Sequence, residues 1–207
     1  MILDGKKYDL WSDGYGAAVH LLNDKDEYPV AGYATVLSEV YNMVRESDAK
    51  KILDVGFGTG IVTKKLYGDG YELYGVDSSE QMVEAGKEFM PKAKLVMADY
   101  SLGLPLHLIQ EKYDMIISVY AFHHLDHYEQ EHLIEDMLRQ LSPGGQIIIG
   151  GLAFETIADM KELRKQTKDN WLYKGMYMLY DELDKVFSNV TWTKISKCAG
   201  IVTITKE

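Results

Sequence analysis

The chain has 207 residues, 46% hydrophobic and 11% aromatic, and a formal charge of −10 at neutral pH. That size and apolar content suit one domain with its own core, and the acidity sets the chain against a nucleic-acid backbone. With no apolar run of bilayer length and no signal-type segment, the expectation is a cytosolic chain with no membrane contact.

Taken in order, the elements alternate between helical and strand patterns. Ala34, Leu37, Val40, Tyr41 and Val44 recur at helical spacing ahead of a first strand over 51–55. Next come Gly56, Gly58 and Gly60, then the helical run "IVTKKLY". A second strand over 72–76 leads into a helix that Ser78 and Gln81 are placed to open as a capping box. A third strand covers 94–97 and a fourth 115–119. Asp126 and Glu129 then offer a second capping box, to a helix with Leu133, Ile134, Met137, Leu138 and Leu141 on one stripe. Pro143-Gly144-Gly145 stops that helix and turns the chain into a fifth strand over 146–150. Segment 153–188, rich in Trp, Tyr and Met, reads as two helices at the carboxyl end of the sheet. Strands over 190–196 and 200–205 have no helix-length piece between them and form a hairpin, so the last strand runs antiparallel. The fold class is therefore α/β: a doubly wound, seven-stranded, mostly parallel sheet with an antiparallel last strand. The whole chain reads as one domain, with a helical N-terminal segment to residue 48, a core over 49–150, a helical insertion over 151–188 and a terminal hairpin over 189–207.

Cys198 is the only cysteine, which excludes an intrachain disulfide and a thiolate metal cage and reads as a small buried thiol. The glycine loop "GFGTG" lies between a strand and a helix N-terminus. It is either a bare turn or a cradle where ligand atoms approach free amides. Asp77, ending the second strand, falls beside that loop and suits a ribose diol, while Asp99, just after the third, suits an exocyclic amine or else caps a turn. A dinucleotide site asks for the third glycine one place later, where Ile61 stands. Asp54, immediately before the loop, is unhelpful to a pyrophosphate and suits an ammonium or sulfonium charge.

The segments "ILDVGFGTG", "GVDSSEQM", "MADY", "YDMIISVYAFHHL" and "LSPGGQIIIG" together resemble the successive motifs of the class I S-adenosylmethionine-dependent methyltransferases, over residues 51–150. More narrowly, "LWSDGYGAAV", "DEYPVAGY" and "SVYAFHHL" are similar to a group of small bacterial methyltransferases without an assigned substrate. The resemblance implies a Rossmann-like methyltransferase fold with S-adenosylmethionine as cofactor. It implies that Asp54, Gly56, Gly58 and Gly60 surround the methionine portion and that Asp77 holds the ribose hydroxyls. Asp99 would reach the adenine amine, Ser78 and Met82 would pack near the nucleoside, and Tyr15 would cover the cofactor. Those relatives usually carry Asp after that tyrosine, where this chain has Gly16.

Transfer from a sulfonium is an in-line displacement with an activated leaving group, so positioning and desolvation carry most of the task. Ser118, Tyr120, His123 and His124 fall at the end of the fourth strand, the edge that meets the ligand in this topology. Tyr120, His123 and His124 are the candidates for removing an acceptor proton, although lining the site is the commoner role for such residues. Neighbouring residues point apart on a strand or helix, so the two histidines are not expected to share a metal. Trp171, Tyr173, Met176, Tyr177 and Tyr180 offer a wall for an apolar acceptor or simple packing, and Arg164 and Lys168 offer contacts to an acidic one or a solvated face. The reading is a methyltransferase acting on a small molecule. A non-catalytic S-adenosylmethionine or S-adenosylhomocysteine binder and an NAD-dependent oxidoreductase are the alternatives.

Overall fold

The computed structural model describes residues 27–172 and 177–206. Helix α1 (Tyr33–Glu46) precedes strand β1 (Lys51–Val55); then follow α2 (Ile61–Gly68), β2 (Glu72–Asp77), α3 (Glu80–Phe89) and β3 (Lys94–Met97). After a 3₁₀ turn (Tyr100–Leu102) come α4 (Leu106–Ile109), β4 (Tyr113–Val119), a second 3₁₀ turn (Phe122–His124), α5 (His127–Gln140) and β5 (Leu141–Phe154). The chain continues through α6 (Ile157–Thr167), β6 (Met178–Leu179), α7 (Tyr180–Val186), β7 (Val190–Lys194) and β8 (Ala199–Thr205).

The main sheet runs β3-β2-β1-β4-β5-β8-β7, parallel from β3 to β5, with β8 antiparallel to both of its neighbours. Chain order reverses between β1 and β4, and the carboxyl ends of those central strands form the switch point at which open α/β sheets bind ligands. Two apolar layers sandwich the sheet. On one face Val36, Val40 and Val44 of α1, Val62 and Leu66 of α2 and Val83 of α3 meet Ile52, Met115, Ile117 and Ile148. On the other, Leu133, Ile134 and Met137 of α5 meet Leu53, Val55, Ile116, Ile147 and Ile149. Burial from both sides explains why the central strands are nearly continuous Val, Ile and Leu and do not alternate with polar residues.

The capping box at α5 is present as expected: Glu129 N donates to Asp126 Oδ1 at 2.8 Å, and Asp126 N donates to Glu129 Oε2 at 2.8 Å. The cap of α3 lies one residue later than expected. Ser79 accepts from Met82 N at 3.3 Å, because Asp77 Oδ1 takes the Ser79 N–H at 2.9 Å and bends the chain at Ser78, which leaves Ser79 extended at the cap position. Leu37 and Ala34 are only half-buried, and Val36 takes the inward place on α1. The expected stop at Pro143-Gly144-Gly145 becomes a bulge inside β5. Tyr113 pairs with Leu141 and Met115 with Gln146, so residues 142–145 loop out of the ladder. The eighth strand, β6, is a two-residue pairing of Met178 and Leu179 with Ala153 and Phe154. Segment 153–188 does carry two helices, α6 and α7.

Of the N-terminal segment expected to close over the cofactor, α1 packs flat on the sheet, and residues 1–26 lie outside the described residues. No helix among the described residues is long and apolar enough to cross a membrane.

Candidate functional site

The loop after β1 has three glycines with positive φ: 73° at Gly56, 52° at Gly58 and 69° at Gly60. At Gly56 a side chain is excluded twice over, by that φ and by a Cβ position only 2.4 Å from the Ala121 Cβ. At Gly58 a Cβ would meet nothing within 4 Å among the described residues. Gly56→Ala is expected to destabilise the fold by about 2–4 kcal/mol, the left-handed strain plus overpacking. Thermal unfolding should then come about 4–16 °C lower; an unchanged midpoint would mean the loop relaxes freely.

Phe57, inside the loop, points down. Its ring lies 2.9 Å from where a Cβ on Gly75 of β2 would stand and 3.2 Å from one on Gly86 of α3, which makes the two glycines its socket. Asp77, buried at the end of β2, accepts from Gly58 N through Oδ2 at 2.7 Å and from Ser79 N through Oδ1. The carboxylate therefore ties the glycine loop to the start of α3.

Asp54 is 3% exposed, near the end of the central strand between Gly75 and Ile117. Thr63, also buried, on the first turn of α2, donates its hydroxyl to Asp54 Oδ2. Asp54 Oδ1 is buried with no hydrogen-bond partner among the described residues. Burial raises this carboxyl to about 7, opposed by the Thr63 hydrogen bond and helped by the Asp77 charge. A buried acceptor without a donor is costly, and a cationic ligand group at Oδ1 would remove that cost.

Asp99 stands exposed on the same edge and its Oδ1 caps the 3₁₀ turn, accepting from Ser101 N at 3.0 Å and Ser101 Oγ at 2.7 Å. Tyr100, on that turn, is buried with its hydroxyl 3.1 Å from a Cβ position on Gly56; burial and then Asp77, Asp99 and Asp54 push its pKa up. Ser78 is exposed beside Asp77, and Met82 is buried with Phe57 in the layer under the loop. Ser118 is fully buried and donates to Val55 O at 2.7 Å, stitching β4 to β1. Tyr15 lies outside the described residues.

Tyr120 adopts a φ of 56° directly after β4, its N–H donates to Gly150 O at 2.8 Å and its ring sits 4.5 Å from that of Tyr33. The two histidines do not point apart as expected. The tight 3₁₀ turn brings their ring centroids to 3.9 Å. Burial, with His124 as the second cause, holds His123 well below the ordinary imidazole range; burial alone pushes His124 down to about 4. Both are therefore neutral at physiological pH. Among the described residues, no three His, Cys, Asp or Glu side chains are grouped to hold a metal.

The aromatic segment divides. Trp171 stacks on Tyr28 at 4.9 Å and meets Tyr177 at 5.0 Å, and Tyr177, fully buried, packs edge-on to Phe154 at 5.4 Å. Tyr180 lies against Trp192 at 6.0 Å, in the other layer. Tyr173 and Met176 lie outside the described residues, and Arg164 and Lys168 are exposed. Thr63 and Phe57 are the site's supports that sequence reasoning missed; an aromatic within a glycine loop was the available signal for Phe57, and Thr63 left none.

A family model for the methyltransferase domain matches residues 52–145. An uncharacterized methyltransferase of Geobacillus thermodenitrificans is 30% identical over 180 residues, which span 87% of this chain and 79% of that protein. One from Alkaliphilus oremlandii is 26% identical over 96% of this chain and 95% of its own. Among solved structures, the magnesium protoporphyrin IX methyltransferase of Synechocystis PCC 6803 with bound SAH shares the fold at a TM-score of 0.66, with 16% identity over 99% of this chain and 100% of that one. The plantazolicin methyltransferase BpumL, in complex with a pentazolic desmethylPZN analog and SAH, aligns with a TM-score of 0.62 and 16% identity over 98% of each chain.

Proposed function

Because the chain belongs to the class I S-adenosylmethionine-dependent methyltransferases, we propose that it methylates a small-molecule acceptor held over the carboxyl ends of β1 and β4. The chain is an enzyme and S-adenosylmethionine is its methyl donor. When bound, the donor supplies a methyl group on an already cationic sulfur; the protein supplies place, orientation and exclusion of water.

One observation supports the assignment of residues: Asp54 Oδ1 is buried beside the glycine loop with no hydrogen-bond partner among the described residues. In this reading Asp54 receives the donor's ammonium, and the left-handed loop from Gly56 to Gly60 lies along the methionine portion. Asp77 accepts from the ribose diol while keeping its hold on Gly58. Ser78 and Met82 flank the nucleoside, and Asp99, with one oxygen committed to its own turn, offers the other to the adenine amine. Tyr120, His123 and His124 line the acceptor side. Neutral imidazoles of depressed pKa are weak bases, which suits lining more than proton removal.

Three facts favour a small acceptor. The charge of −10 opposes a polyanion. Among the described residues, the piece inserted between β5 and β7 holds α6, β6 and α7, with no larger recognition unit there. Two solved relatives are a magnesium protoporphyrin IX methyltransferase and a plantazolicin methyltransferase. The test is to incubate the enzyme with donor radiolabelled on its methyl group and an extract split by dialysis into small metabolites and macromolecules. Label entering the small fraction is the expected result. Label confined to protein or RNA would overturn the small-molecule reading and leave the methyltransferase assignment standing.

A further inference from the structure

We infer that Thr63 is a positioning residue for the donor site: its hydroxyl holds one oxygen of Asp54 and leaves the other to a cationic group. The inference rests on the proposal that Asp54 receives the donor's ammonium.

Both residues sit on the same layer of the sheet. Asp54 is the fourth residue of β1, and Thr63 is the third residue of α2, just past the glycine loop. Thr63 is 1% exposed, and its hydroxyl donates to Asp54 Oδ2. The remaining oxygen, Oδ1, is buried with no partner among the described residues. A bond from an uncharged hydroxyl stabilises the carboxylate over the carboxylic acid without supplying a counter-charge. The positive charge must therefore come from elsewhere, and the ligand can bring it. A lysine in place of Thr63 would neutralise Asp54 permanently and remove the attraction; a valine would leave it to burial alone.

Among the described residues, the groups that act on Asp54 are few. Asp77, from the end of β2, repels its charge, and Thr63 opposes burial. Tyr100, on the turn after β3, feels both carboxylates and stays protonated. Lys64, next to Thr63 on α2, directs its ammonium over the Phe89 ring, with the nitrogen 3.9 Å from the centroid. Burial thus raises the Asp54 carboxyl toward neutrality, and the Thr63 hydrogen bond pulls it back toward the ionised form.

The sign follows. Ionised Asp54 binds the ammonium, so affinity for S-adenosylhomocysteine rises with pH through the free carboxyl's pKa and levels above it. Losing the Thr63 bond moves that rise to higher pH. The alkaline limb, where the ligand's own amine loses its proton, is common to all variants.

The experiment is calorimetry on the purified full chain from about pH 5.5 to 8.5, on wild type, Thr63→Val and Thr63→Ser, with S-adenosylhomocysteine and with 5′-methylthioadenosine, which lacks the amino-acid portion. Thr63→Val should lose about tenfold in S-adenosylhomocysteine affinity near pH 6.5, with the gap narrowing toward the alkaline end. Methylthioadenosine affinity should stay unchanged, showing that the pocket is folded, and Thr63→Ser should restore the wild-type profile. A pH-independent loss shared by both ligands would make Thr63 a packing residue and overturn the inference. So would a Thr63→Val profile that coincides with wild type. Wild type silent to both ligands would overturn the donor site itself, a distinct failure.

Discussion

Asp77→Ala is expected to leave S-adenosylhomocysteine binding at least 100-fold weaker than in the wild type, beyond ordinary calorimetric detection. Two contributions add. A ribose diol donating to a buried carboxylate makes charge-assisted bonds, each of about 1.5–3 kcal/mol when its acceptor is removed. The same carboxylate also accepts from Gly58 N and Ser79 N. Without it, the loop loses its tie to α3, and the amides meant for the ligand lose their fixed direction. The protein should still fold, since Phe57 stays seated between Gly75 and Gly86 and both apolar layers are untouched. Titration of wild type and variant with S-adenosylmethionine, S-adenosylhomocysteine and NADH checks it. The wild type should bind the first two at micromolar level and ignore NADH, because a glycine loop preceded by Asp54 repels a pyrophosphate. A variant that binds within threefold of wild type would remove Asp77 from the site.

How far the sequence could be read depends on what kind of signal each element leaves. The central strands were legible because burial on both faces writes uninterrupted Val and Ile runs, closed by glycine or aspartate at the carboxyl edge. The terminal hairpin was legible from a chain too short to cross the sheet. A two-residue strand such as β6 leaves no periodicity, so it emerges only in the fold. The bulge in β5 reads as a plain stop because Pro143-Gly144-Gly145 has the same composition in either role.

Within the site, motif residues were legible and their mutual supports were not. Asp54, Asp77 and the three glycines announce themselves by position, but the hydroxyl that holds Asp54 comes from α2, and nothing in "IVTKKLY" says which way that helix is rolled. Ser118 shows the same limit from the other side. Its place at the end of β4 suggests a ligand contact, whereas its hydroxyl is taken by the carbonyl of Val55 on the neighbouring strand. For Asp99 the two sequence readings turn out compatible, since the cap uses one oxygen and leaves the carboxylate exposed at the sheet edge. The histidine pair misled because a 3₁₀ turn obeys neither the strand rule nor the α-helix rule on which the expectation rested.

Asp54→Asn should separate stability from function. In the unliganded protein the carboxyl is raised from its ordinary 3.8 to about 7, chiefly by burial. Between those values the folded state holds a proton that the unfolded chain has released, so unliganded stability falls as pH rises from about 4 to about 7 and then levels. Asparagine does not titrate. It can still accept from Thr63 and carries no buried charge, so the variant should lose that slope and be more stable than wild type by about 1–3 kcal/mol near pH 8. For a chain of this size that is a thermal midpoint roughly 2–12 °C higher. Donor binding should move the opposite way. With no charge to meet the ligand's ammonium, S-adenosylhomocysteine affinity should drop about 100-fold while 5′-methylthioadenosine is unaffected. Thermal melts across the pH range, with and without each ligand, read both effects in one series. A variant that is less stable than wild type at alkaline pH and binds S-adenosylhomocysteine normally would make Asp54 a structural carboxylate. The expected pattern instead identifies a residue that destabilises the free protein in order to bind a cation, and a strain of that kind persists at a working site.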